Sequence, residues 1–114
     1  MKTKSLFAAL VPALLLTACA GEQSREAEEF STSNYRCESG ARIAAYYPNT
    51  DTAVIKYQGK SIALSNAVSA SGARYVGAGL EWWTKGSGSG SSGMLLEHNT
   101  DGTSGEVLEL CIAE

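Results

Sequence analysis

The chain has 114 residues, 44% of them hydrophobic and 18% charged, with a formal net charge of −3. That balance offers no basic face for a polyanion, which excludes nucleic acid as a partner. A single histidine, His98, and three widely spaced cysteines make a poor ligand set, so neither a metal nor a cofactor is expected.

The first element is an export signal. Lys2 and Lys4 form a positive start, Leu6 to Leu16 is an apolar run interrupted only by Pro12, and Leu16-Thr17-Ala18-Cys19 closes it. The apolar run is too short to span a bilayer core, which needs about 20 residues. A cysteine directly after Leu-Thr-Ala resembles the bacterial lipobox. That resemblance implies a signal peptide over 1–18, cleavage before Cys19 and lipid on the Cys19 thiol. The alternative is a soluble secreted protein with an incidental cysteine. Ala20, not aspartate, follows the cysteine. In lipoproteins of this kind that favours the outer membrane, so the expected location is its periplasmic face. Removing 1–18 leaves seven basic against twelve acidic side chains, a charge of −5, which suits a basic protein partner.

From Ala20 to Ser33 the chain is polar and charged without a hydrophobic period. Residues 19–33 therefore read as a lipidated cysteine and a flexible tether. The single domain is 34–114, a size at which the buried core is marginal. Cys37 and Cys111 stand near its two ends and are expected to pair in an oxidising compartment. In the chain-entropy account, closing so long a loop contributes about 4 kcal/mol.

Eight strands are predicted, each ended by a turn signal: 35–38, 42–47 (stopping at Pro48), 52–57, 60–64, 73–76, 80–85, 94–98 and 106–112. Gln58-Gly59 and Gly77-Ala78-Gly79 read as hairpin turns. Ile43, Ala45 and Tyr47 alternate, as do Ile55 with Tyr57 and Ile62 with Leu64; on the last strand Leu108, Leu110 and Ile112 oppose Val107, Glu109 and Cys111. The fold class is all-β. A small eight-stranded antiparallel barrel closed by the disulfide is expected, since closure removes unpaired edges; a two-sheet sandwich is the alternative. Trp82 and Trp83 must face opposite sides of one strand, so at most one is core. His98 reads as an exposed histidine at a strand end. The Gly/Ser tract 86–93 reads as a long flexible loop.

Two motifs stand above this background: Ser69-Ala70-Ser71-Gly72-Ala73-Arg74-Tyr75, then Leu80-Glu81-Trp82-Trp83-Thr84-Lys85-Gly86. With Tyr35-Arg36-Cys37, Cys111 and the lipobox, they resemble the membrane-bound inhibitors of C-type lysozyme, the MliC/PliC family, over about 35–111. The resemblance implies an eight-stranded barrel whose loops enter the active-site cleft of C-type lysozyme. It implies that Ser71 and Lys85 reach the catalytic carboxyls, with Gly72, Tyr75, Thr84 and Gly86 in the same partner-binding motifs. Tyr75 and one tryptophan are expected to position the loops from within.

The chemistry is coherent on its own terms. Lysozyme needs one protonated and one ionised carboxyl. An inserted ammonium favours the ionised forms and so depletes the acid. A hydroxyl bonds a carboxyl in either state. From a different class, the alternative function is a structural or assembly lipoprotein binding another envelope component. A ligand carrier would need more cavity than a small barrel filled with aromatics provides. An enzyme is not expected, because no serine stands in a nucleophile-elbow context.

Overall fold

The computed structural model describes residues 31–114. The expected signal peptide, Cys19 and all but the end of the expected tether lie outside the described residues. The strands are β1 (Ser33–Cys37), β2 (Arg42–Asn49), β3 (Thr52–Tyr57), β4 (Lys60–Ala67), β5 (Ala73–Gly77), β6 (Leu80–Lys85), β7 (Ser92–His98) and β8 (Ser104–Ala113). Each pairs antiparallel with the next, and β1 pairs with β8, so the sheet closes into a barrel rather than splitting into a sandwich. Cys37 lies directly opposite Cys111 in the closing seam, and the two form the disulfide.

Alternation selects the core. Tyr35, Ile43, Ala45, Ala53, Ile55, Leu64, Tyr75, Trp82, Leu95, Cys111 and Ala113 all point inward and are buried. Trp82 is fully buried, edge-on to Tyr35 with ring centroids 5.0 Å apart, and its indole N–H donates to the Tyr47 hydroxyl at 3.2 Å. On β7 the position of Gly93, which pairs with Thr84 and lies against the Trp82 ring, must be empty of side chain: a Cβ there would lie 2.5 Å from Trp82 Cη2. Trp83 is the outward member of the pair, as the strand period requires.

β2 and the Gly/Ser tract differ from expectation, and β8 shows which of its two opposed rows faces the core. β2 runs through Pro48 to Asn49, because the pairing with β3 shifts register between Tyr46 and Asn49, and such an irregularity tolerates a missing N–H. On β8 the inward set is Glu109, Cys111 and Ala113, while Leu108, Leu110 and Ile112 face solvent. The buried disulfide at Cys111 fixes that phase, and a period of two then puts the aliphatic row outside. Glu109 is accommodated inside by short hydrogen bonds from the Tyr57 hydroxyl and Ser39 Oγ, both 2.6 Å. The Gly/Ser tract is shorter and better held than its composition suggests. Ser92 and Gly93 belong to β7, and the Gly90 N–H and Ser91 carbonyl both bond the Ala113 backbone, at 2.9 and 2.8 Å.

Candidate functional site

The two motifs meet because β5 and β6 form a hairpin, with Ala73 opposite Thr84 and Arg74 opposite Trp83. The loop 68–72 precedes β5, and Lys85 ends β6, so both lie at the same end of the barrel. Ser71 and Lys85 are exposed. Between them stands Trp83, whose indole N–H donates to the Ser71 carbonyl at 2.9 Å and whose ring centroid is 5.8 Å from Lys85 Nζ. Ser69 Oγ lies 3.1 Å from the carbonyls of both Ser71 and Gly72, closing the loop on itself.

Gly72 is what lets the loop lie against β6. Its φ is +72°, and a Cβ there would fall 2.3 Å from the Thr84 carbonyl oxygen and 2.8 Å from Lys85 Cγ. The neighbour is backbone and cannot move aside cheaply. Gly72→Ala is therefore expected to lift the loop off β6 and to lower stability by about 1–3 kcal/mol. A urea unfolding midpoint unchanged from wild type would refute this.

The remaining motif residues divide. Gly86 follows Lys85 at the turn, with φ +84°. Tyr75 and Thr84 point into the barrel and are only 8% exposed each. They line its mouth, a cavity of about 260 Å³ shared with Tyr35, Tyr47, Gly86 and Ser91. Tyr75 packs on Tyr47 with centroids 5.4 Å apart, so it supports the loops from within. Burial pushes the Tyr35 and Tyr47 phenols up from their ordinary range, which keeps the mouth neutral.

Behind Trp83 lies a cluster that the motifs did not single out. Glu81 is on the outer side of β6 yet wholly buried. Arg74 grips both its oxygens, Nε to Oε1 at 3.0 Å and Nη2 to Oε2 at 3.2 Å. Ser104 Oγ donates at 2.9 Å, and His98 Nδ1 sits 2.8 Å away. His98 is thus half-buried against a carboxylate, which corrects its reading as an exposed strand-end residue. The hairpin register held the signal: with Val76 opposite Glu81, Arg74 and Glu81 are diagonal neighbours on one face.

Desolvation pushes the Glu81 carboxyl up, but the hydrogen bonds from Arg74, then His98 and Ser104, outweigh it, so it ends below its ordinary 4.5. A depressed carboxyl contributes stability above its unfolded pKa and loses it as pH falls through the folded value. The thermal midpoint should therefore decline below about pH 4.5. Glu81→Gln should cost about 3–5 kcal/mol at neutral pH, by leaving Arg74 unpaired, and should flatten that acid limb. Parallel acid limbs in the two proteins would exclude Glu81 as its source.

Comparison with known proteins identifies the family. A family model described as membrane-bound lysozyme-inhibitor of c-type lysozyme matches residues 35–104, more than half of the chain. Two relatives described as membrane-bound lysozyme inhibitor of C-type lysozyme are similar in sequence. The one from Cupriavidus necator is 44% identical over 55 residues, 46% of this chain and 44% of its own. The one from Pseudomonas aeruginosa is 39% identical over 57 residues, 46% of this chain and 45% of its own. The chain thus spans about half the length of the curated relatives it matches. The crystal structure of Pseudomonas aeruginosa MliC in complex with hen egg white lysozyme aligns with a TM-score of 0.51 at 24% identity, covering 94% of this chain and 99% of that one. That likeness shows the shared fold. By its matched span, its barrel and its disulfide, the chain belongs to the family of membrane-bound lysozyme-inhibitors of c-type lysozyme.

Proposed function

We propose that this protein is a proteinaceous inhibitor of C-type lysozyme, held by lipid on Cys19 at the periplasmic face of the outer membrane. In this reading it plugs the enzyme's cleft with Ser71 and Lys85 and is not itself an enzyme. The observation that carries the reading is an exposed lysine and an exposed serine held on either side of Trp83 at one end of the barrel. Among the described residues Lys85 has no carboxylate within ion-pair distance, and no hydrogen bond is made by Ser71 Oγ. Both are therefore available to a partner that offers carboxyl groups. Family membership supports such a partner, as does the lysozyme bound to the structurally similar Pseudomonas aeruginosa protein.

The mechanism follows from how a glycosidase works. One carboxyl must stay protonated to donate to the leaving oxygen, and the other must stay ionised. An ammonium placed beside them lowers both pKa values, removing the acid form. The Ser71 hydroxyl can donate to or accept from either group. Both occupy space that the sugar needs. Because the cleft excludes water, such charge-assisted bonds are worth more than a rim pair.

The test is direct. The purified domain, without lipid, is expected to slow lysis of a peptidoglycan suspension by C-type lysozyme. Undiminished lysis at large molar excess would sink the reading. Inhibition should also weaken between low and high salt, because an acidic inhibitor and a basic enzyme attract at long range. A flat salt response would remove charge from the account of partner choice.

A further inference from the structure

We propose that Arg74 is the positioning residue that holds the Ser71 loop ready for its partner. The consequence for binding rests on the inhibitor reading above; the consequence for the loop does not. The guanidinium of Arg74 works in three directions. Two nitrogens clamp the buried Glu81 carboxylate, at 3.0 and 3.2 Å. Its Cζ lies 5.7 Å from the Trp83 ring centroid. The remaining Nη1 donates to the Val68 carbonyl at 3.1 Å. Val68 is the first residue after β4, and its side chain is 91% exposed. That side chain has no packing to fix the residue, so the carbonyl bond is its tie to the barrel.

The clamp is itself anchored. Glu81 is bonded by Ser104 from the start of β8 and by His98 from the end of β7. The guanidinium is therefore fixed by strands beyond its own hairpin, and only 15% of the side chain is exposed. Trp83, on which it rests, holds the other end of the loop through the Ser71 carbonyl. Two pins, at Val68 and Ser71, thus lead back to one buried network. A loop ordered before the encounter loses less conformational freedom on binding. Lysine would keep the charge but is a point donor; it cannot grip two carboxylate oxygens, stay over the indole and reach Val68 together.

The experiment uses Arg74→Lys, Ser71→Ala and their combination, with two readouts. In the free protein, backbone ¹⁵N order parameters over 68–72 should fall from about 0.85 to below about 0.6 in Arg74→Lys. The β-strand values should stay close to wild type, and both readouts are taken at a temperature well below the variant's own thermal transition. Against C-type lysozyme, each single change should weaken binding roughly tenfold or more, and the combination should be little worse than Arg74→Lys alone. That non-additivity distinguishes placing Ser71 from a general loss of stability, which would add. Unchanged order parameters over 68–72 overturn the proposal. So does a full, independent Ser71→Ala effect in the Arg74→Lys background. If wild type itself fails to bind lysozyme, the inhibitor reading falls and the order parameters alone decide the clamp. Should Arg74→Lys not fold, the charge-neutral pair Arg74→Gln with Glu81→Gln takes its place in both measurements, where a loosened 68–72 loop supports the clamp and an unchanged one overturns it.

Discussion

Lys85→Ala is expected to raise the inhibition constant against C-type lysozyme by roughly thirtyfold to several thousandfold. That range corresponds to the roughly 2–5 kcal/mol lost when one partner of a desolvated charge pair is truncated. The loss has two parts. The ammonium no longer stabilises the ionised carboxyls, and those carboxyls, shut in the cleft by the rest of the barrel, are left without a counter-charge. Stability should hardly change. Lys85 is exposed at the end of β6, its stem lies beside Gly72, and its ammonium is 5.8 Å from the Trp83 ring. An exposed contact of that kind is worth about 0.5–1 kcal/mol. The pairing of a large binding defect with a thermal midpoint shifted by only a few degrees is the signature sought. Lys85→Arg should recover part of the affinity, since it restores the charge with a broader head. A Lys85→Ala protein that inhibits as well as wild type would place the contact elsewhere on the surface.

That the two motifs meet was legible in the sequence, for reasons that are local. Ser71, Gly72 and Lys85 sit in contiguous motifs, and a hairpin turn at 77–79 suffices to bring the motifs together. The opposite fates of Trp82 and Trp83 follow from strand period alone. What could not be read depends on contacts between distant strands. The grip on Glu81 needs His98 and Ser104, which reach it from the end of β7 and the start of β8. The phase of β8 is set by the disulfide, so hydrophobicity misleads there: Leu110 and Ile112 are 46% and 47% exposed while Glu109 is buried. Composition also overstated the freedom of the Gly/Ser tract. Its sequence says nothing of the Ala113 backbone that pins it.

Removing the disulfide by Cys37→Ala with Cys111→Ala should produce a large loss of stability. The bond closes a sequence separation of 74 residues, for which the chain-entropy account gives about 4 kcal/mol. At about 0.05–0.15 kcal/mol per residue, a domain of this size has little more than that in reserve at the lower end. The thermal midpoint should fall by roughly 15–30 °C, taking about 4–8 °C per kcal/mol for a domain this small. The location adds to the effect. The seam between β1 and β8 has three ladder positions, Tyr35 with Ala113, Arg36 with Ile112, and Cys37 with Cys111, with one further backbone hydrogen bond on either side, Glu38 N–H to the Leu110 carbonyl and Glu114 N–H to the Asn34 carbonyl. One of the three is the covalent link. A barrel opened there exposes two strand edges, one of them beside the outward row Leu108, Leu110 and Ile112, and should aggregate on heating. Below its midpoint the variant should still inhibit, because Ser71 and Lys85 are placed by the β5–β6 hairpin and the Glu81 network, not by the seam. Loss of inhibition in parallel with loss of stability would instead tie the site to closure. A midpoint within a few degrees of wild type would mean that core packing around Trp82 keeps the barrel shut unaided.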